Sequence, residues 1–227
     1  MHTLVYGLPP VLAAIIGGLI AVYRPPEEKL VSGMQHLAAG VVFSAASVEI
    51  LPSIMHGANP VATLVGGGIG TATMLGVKAL DSRLRGPAAF LCMIGLDIFL
   101  DGLVLGFGFG AGARQGYLLT VALTLEVLFL GLNITTALAE NGTGKLAIIG
   151  ATAAISMLLP VGLVVATPAL SLPHAFTTGF LSFGLIALLY LVTEELLTEA
   201  HEKPDSPAST AMFFIGFLFL LVLDEIH

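Results

Sequence analysis

Tryptophan is absent from this chain, cysteine occurs once, and charged residues make up only 10% of its 227 positions. The lone Cys92 cannot form an internal disulfide, so no disulfide framework holds the fold together. Basic residues are the scarcest charges: eight Lys and Arg stand against fifteen Asp and Glu, a formal net charge of −7. That balance excludes nucleic acid as a partner, which asks for a basic face. No Lys or Arg precedes the first apolar run in MHTLVYGLPP, so the charged head of a signal peptide is missing and the run reads as a mature helix. A soluble domain carries roughly 25% charge. At 56% hydrophobic residues and a mean hydropathy of +1.00, the chain has more apolar surface than a water-soluble core hides, and lipid is the natural solvent for the excess.

A membrane span needs about 20 mostly apolar residues. Between polar or Gly/Pro-rich breaks the chain offers eight, at 4–23, 30–53, 60–80, 87–110, 116–139, 145–167, 174–200 and 208–226. The expectation is an all-α polytopic membrane protein forming a single transmembrane domain over 1–227. The basic residues set its orientation. Arg24, Lys29, Lys78, Arg83, Arg85, Lys145 and Lys203 follow odd-numbered spans, and only Arg114 falls on the other side. Positive charge accumulates on the cytoplasmic face, which places both termini outside a plasma or inner membrane.

Acids occur where they are costly. A charged side chain at the bilayer centre costs about 2.5–3.5 kcal/mol on insertion scales. Asp97 and Asp101 nevertheless fall mid-way along span 4 and Glu126 mid-way along span 5. Glu49 sits near the outer end of span 2, and Glu194, Glu195 and Glu199 in the inner half of span 7. No Lys or Arg is expected at matching depth. Such an acid keeps its proton or holds a cation. Asp97 and Asp101 are four apart and share a helix face, as do Glu195 and Glu199. Two carboxylates on one face chelate a divalent ion, and a third from another helix closes the shell. Glu49 reads equally as a protonated hydrogen-bonder between helices. Glu194 reads as helix-end solvation. His36, in the inner half of span 2, and His201, two residues after Glu199, read either as part of a weak metal stop or as solvated helix ends. Gly102, Gly106 and Gly110 on span 4, and Gly66, Gly67, Gly68 and Gly70 on span 3, form small-residue stripes for close packing or sliding. Asn133 and Pro160 offer a polar gap in the helix wall.

These residues and the eight-span layout resemble the ZIP family of divalent metal transporters over most of the chain. Span 4 of that family carries His-Asn-x-Pro-Glu/Asp-Gly; here the stretch reads Asp97-Ile98-Phe99-Leu100-Asp101-Gly102. The related span 5 motif reads Glu126-Val127-Leu128-Phe129-Leu130-Gly131. Span 7, YLVTEELLTEA, and span 2, HLAAGVVFSAASVEILP, are similar to the family's endings for those spans. The resemblance implies that Asp97, Asp101, Glu126 and Glu195 are metal ligands, that Leu130 replaces one, and that Ile98, Val127 and Leu159 stand where a second site is often completed. It therefore implies one metal site. With Leu100 and Phe129 in place of the motif prolines, it also implies straighter helices. It implies spans 1, 4, 5 and 6 moving as an elevator against 2, 3, 7 and 8, inward transport, and no prosthetic group. The inferred oxygen-only shell suits harder ions such as Mn²⁺, while the family suggests zinc or iron, and the cargo stays open between them. A homodimer also stays open. On this reading Glu49 is an outer entrance, and Glu199 and His201 guide exit. Two other functions use the same acids: a proton-coupled carrier of another cation, and an intramembrane aspartyl enzyme. The enzyme is disfavoured because Asp97 and Asp101 share one helix.

Overall fold

The computed structural model describes residues 2–81, 83, 86–168, 172–202 and 206–226. Arg85, Lys203 and His227 lie outside the described residues. Among the described residues, eight helices are long and apolar enough to cross a membrane: Leu4–Tyr23, Glu28–Gly57, Pro60–Leu80, Ala88–Ala111, Ala113–Ala139, Lys145–Ala166, Ala175–His201 and Pro207–Ile226, here spans 1 to 8. Among the described residues there is no strand. The chain is an all-α polytopic membrane protein, as its hydropathy pattern predicts.

Two boundaries differ from the sequence expectation. Span 2 runs on past Pro52 to Gly57 instead of ending near 53. Ala45–Ile50 forms a wider π-helical turn immediately upstream, which relieves the clash between a proline ring and the carbonyl four residues back. The break expected over 110–116 shrinks to Gly112, because helix resumes at Ala113. A second π-helical segment, Leu191–Leu196, lies in span 7. There the Thr193 and Thr198 hydroxyls donate to the carbonyls of Leu189 and Thr193 at 2.9 and 3.2 Å. Span 6 is interrupted at Met157, three residues before Pro160. Spans 4 and 5, which lack the motif prolines, are unbroken.

The helices pack in two groups. Span 1 lies along span 5, span 4 along span 6, and spans 4 and 5 against each other; span 2 lies along span 8 and span 3 along span 7. Exchanging span 1 with 6, 2 with 7, 3 with 8 and 4 with 5 maps these main pairings onto themselves. That is the pattern of an inverted repeat, whose pseudo-two-fold axis lies in the membrane plane.

Glycine sets the closeness of each pair. A Cβ on Gly17 would stand 2.3 Å from the Leu128 carbonyl oxygen, and one on Gly131 would stand 2.2 Å from that of Ala14. Spans 4 and 6 repeat this through Gly102 on Leu159 and Gly162 on Phe99, and spans 2 and 8 through Gly40 on Phe213 and Gly216 on Leu37. In lipid there is no hydrophobic gain in bringing two apolar helices together, so such backbone-on-backbone contact supplies much of the association. The stripe on span 4 is thus a packing surface inside one group. Spans 3 and 8 are outermost, with only 17% of each apolar window buried.

Overpacking typically costs about 1–3 kcal/mol. Gly102→Val is expected to lose at least that much, read as a lower thermal midpoint in detergent. Gly68→Ala, where the added Cβ meets nothing within 4 Å, is expected to hold or raise the midpoint.

Candidate metal centre

Spans 4 and 5 form an antiparallel hairpin hinged at Gly112. Asp101 lies about three turns before the hinge and Glu126 about four turns after it, so the two reach similar depth. Asp97 stands one turn beyond Asp101 on the same face. One carboxylate oxygen from each of Asp97, Asp101 and Glu126 lies within 4.8 Å of the other two. Asp101 and Glu126 are buried at 4% and 1% exposure, and Asp97 is half-buried. Among the described residues, neither Lys nor Arg forms an ion pair with any of the three. Asp97 Oδ2, Asp101 Oδ2 and both oxygens of Glu126 are buried without a hydrogen-bond partner. A buried polar group left in this state costs several kcal/mol in an apolar medium. The three acids the sequence singled out therefore converge with open coordination capacity. Ile98, Val127 and Leu159 are fully buried and apolar, and the three acids are the one group of at least three metal-ligating side chains to converge among the described residues.

A cavity of about 300 Å³ leads from Asp97 toward the loop between spans 3 and 4, the side that holds most of the basic residues. Glu194, Glu195 and Glu199 line it from span 7, Leu130 and Asn133 from span 5, and Lys78 from span 3. Glu195 lies on this wall and not within the converging three. Leu130 faces the cavity where the resemblance expects a ligand.

Glu194 overturns one expectation. It forms an ion pair with Lys78, so a base does reach this depth on span 7. Counting from helix ends misses it because the long, flexible Lys side chain carries its charge well away from its own Cα. Glu199 is held by two amides: Gln35 Nε2 from span 2 and Asn133 Nδ2 from span 5 each donate to its Oε2 at 2.8 Å. In the sequence Gln35 carries no signal, and Asn133 stands out only as a polar interruption of span 5. A cross-span amide pair leaves no spacing signal within one helix.

His36 is 1% exposed. Its Nδ1 donates to the Ser32 carbonyl at 2.9 Å, while Nε2 is buried without a partner. The His201 ring lies 5.2 Å away, edge to face, and Ser32 Oγ donates to the Ala200 carbonyl at 3.1 Å. The two histidines therefore meet where spans 2 and 7 cross, outside the cavity lining.

Glu49 is 4% exposed and sits in the π-helical turn of span 2. It lines a separate cavity of about 200 Å³ with His56, Arg114, Gln115 and Asp224, near the hairpin turn at Gly112 and so at the opposite face from the Asp97 cavity.

No protein-family model matches the chain. Over 137 residues, 60% of its length, it is 31% identical to the zinc transporter GufA of Myxococcus xanthus. The match covers 54% of that protein, so the chain spans about half the length of the curated relative it matches.

A buried carboxylate without a partner carries a desolvation cost that an apolar side chain of similar size removes. Glu126→Met is therefore expected to raise the thermal midpoint in the presence of a chelator, measured by scanning calorimetry or fluorescence in detergent.

Proposed function

We propose that this chain carries a divalent metal cation across the membrane through Asp97, Asp101 and Glu126. The observation that carries the reading is the convergence of three carboxylates, with four buried oxygens lacking partners, inside membrane-spanning helices. A divalent cation accepts oxygens from several carboxylates and offsets their mutual repulsion. The similarity to a zinc transporter supports metal as cargo, and the ZIP-like motifs support the same site. Glu195 stands beside the path on the facing group of helices, as a fourth ligand during loading or release, and Glu194 and Glu199 continue the acidic wall.

The bias of basic residues assigns the 3–4 loop side to the cytoplasm. The Asp97 cavity then opens inward, both termini lie outside, and transport runs into the cell across the plasma or inner membrane. Spans 1, 4, 5 and 6 move as one body against 2, 3, 7 and 8. The inverted-repeat pattern supports this division, since carriers built this way rock one repeat unit past another around a fixed site. An all-carboxylate shell takes Mn²⁺ readily as well as Zn²⁺, because carboxylate oxygen is the hardest of the common protein donors. Asp97 and Asp101 bind and release the ion without chemical change, so the chain acts as a carrier and not an enzyme.

Uptake of Zn²⁺ and Mn²⁺ into proteoliposomes tests the proposal. The Asp97→Ala/Asp101→Ala double variant is expected to fall to the level of empty liposomes, while Glu195→Gln retains part of the rate. Undiminished uptake in the double variant would sink the assignment.

A further inference from the structure

Seven of the eight basic residues follow odd-numbered spans, and Arg114 is the exception. It begins span 5, in the group formed by spans 1, 4, 5 and 6. Its side chain leaves that group and grips the last turn of span 8. Nε donates to Asp224 Oδ1 at 2.7 Å, and Nη2 donates to the Asp224 backbone carbonyl and pairs with the carboxylate. A guanidinium suits this task, because its planar fork satisfies a carboxylate and a helix-end carbonyl together. It also places positive charge at the negative end of the span 8 dipole. Spans 5 and 8 otherwise hardly touch. The grip therefore adds a polar link from span 5 to span 8, beside the packing of span 5 on the π-helical turn of span 2.

Glu49 completes the cluster. It is buried in the same cavity, and its charged neighbours there are Asp224 and Arg114. One guanidinium thus faces two carboxylates, both from the other helix group, at the face opposite the open Asp97 cavity. We propose that the Arg114–Asp224 pair is a latch that keeps the Glu49 face shut while the Asp97 cavity is open. Withdrawing span 5 takes the guanidinium away and leaves Glu49 and Asp224 as a two-carboxylate mouth for an arriving cation. The role as a cation mouth rests on the transport reading; the latch itself rests on the ion pair between groups.

The test is the reaction rate of an impermeant maleimide with a Ser53→Cys reporter, whose parent serine lines the Glu49 cavity. A Cys92→Ser background removes the exposed native thiol. Arg114→Ala and Asp224→Ala are each expected to raise the rate about fivefold, the size appropriate to a partly exposed ion pair. The charge swap Arg114→Asp with Asp224→Arg is expected to bring it back down. Rates equal to the parent in both single variants would overturn the latch. So would a swap that labels as fast as the singles, since that marks loosened structure and not a lost ion pair. Metal uptake by the parent is measured alongside. A parent that labels as expected but moves neither Zn²⁺ nor Mn²⁺ removes the cargo reading and leaves the latch standing.

Discussion

Three carboxylates in membrane-spanning helices, with no base paired to them among the described residues, must be held together by everything around them. Each would leave for water if its helix could turn or slide. Gly102, the residue after Asp101, lets span 6 approach until backbone meets backbone. Gly131, five residues after Glu126, does the same for span 1. The acids are therefore flanked by the closest helix contacts in their group, which stops spans 4 and 5 from rotating their carboxylates outward. The strain of unsatisfied oxygen is stored at the site and offset by packing elsewhere, the usual distribution where function requires an unfavourable local arrangement.

Contacts between the two groups are of a different kind from contacts within them. Within each group, glycines bring backbones together. Across the seam, Phe107 stacks on Phe180 with centroids 4.6 Å apart, and the face of span 7 at Gly184 rests on Val104. Polar links across it include Asn133 to Glu199 near the open cavity and Arg114 to Asp224 at the other face. Aromatic and aliphatic surfaces can shift past one another without breaking hydrogen bonds. A seam of this composition distinguishes the contacts between the two packing groups from those within them.

Much of this was legible before any coordinates. Apolar run length yielded all eight spans, with spans 1 and 3 placed to the residue, because lipid imposes length and composition together. The i, i+4 spacing of Asp97 and Asp101 announced a shared face, and Glu126 followed from its depth. What escaped were features set by tertiary geometry. The apolar run of span 2 suggests an end near residue 53, yet past a π-helical turn the helix continues to Gly57. Lys78 looked like a loop-side charge, yet its reach neutralises Glu194. Gln35 carries no signal and Asn133 only that of a polar gap, since their common partner lies on a third helix. Arg114 was visible only as an exception to the charge bias, and its partner lies 110 residues away.

The spans range from 20 to 30 residues. Spans 1, 3 and 8 have 20 or 21 residues, while spans 2, 5 and 7 have 27 to 30. At 1.5 Å per residue the short helices measure about 30 Å, the thickness of a hydrocarbon core, and the long ones about 40–45 Å. A 30 Å helix standing at the lipid boundary fixes the depth at which the bundle floats. A helix ten or more ångströms longer must lean or emerge into the headgroups. Spans 3 and 8 thus have the length of the hydrocarbon core, and the surplus length of spans 2 and 7 carries the ends that bear His56, Glu199 and His201. The outermost helices thus match the hydrocarbon core, while the longer ones reach the headgroup region.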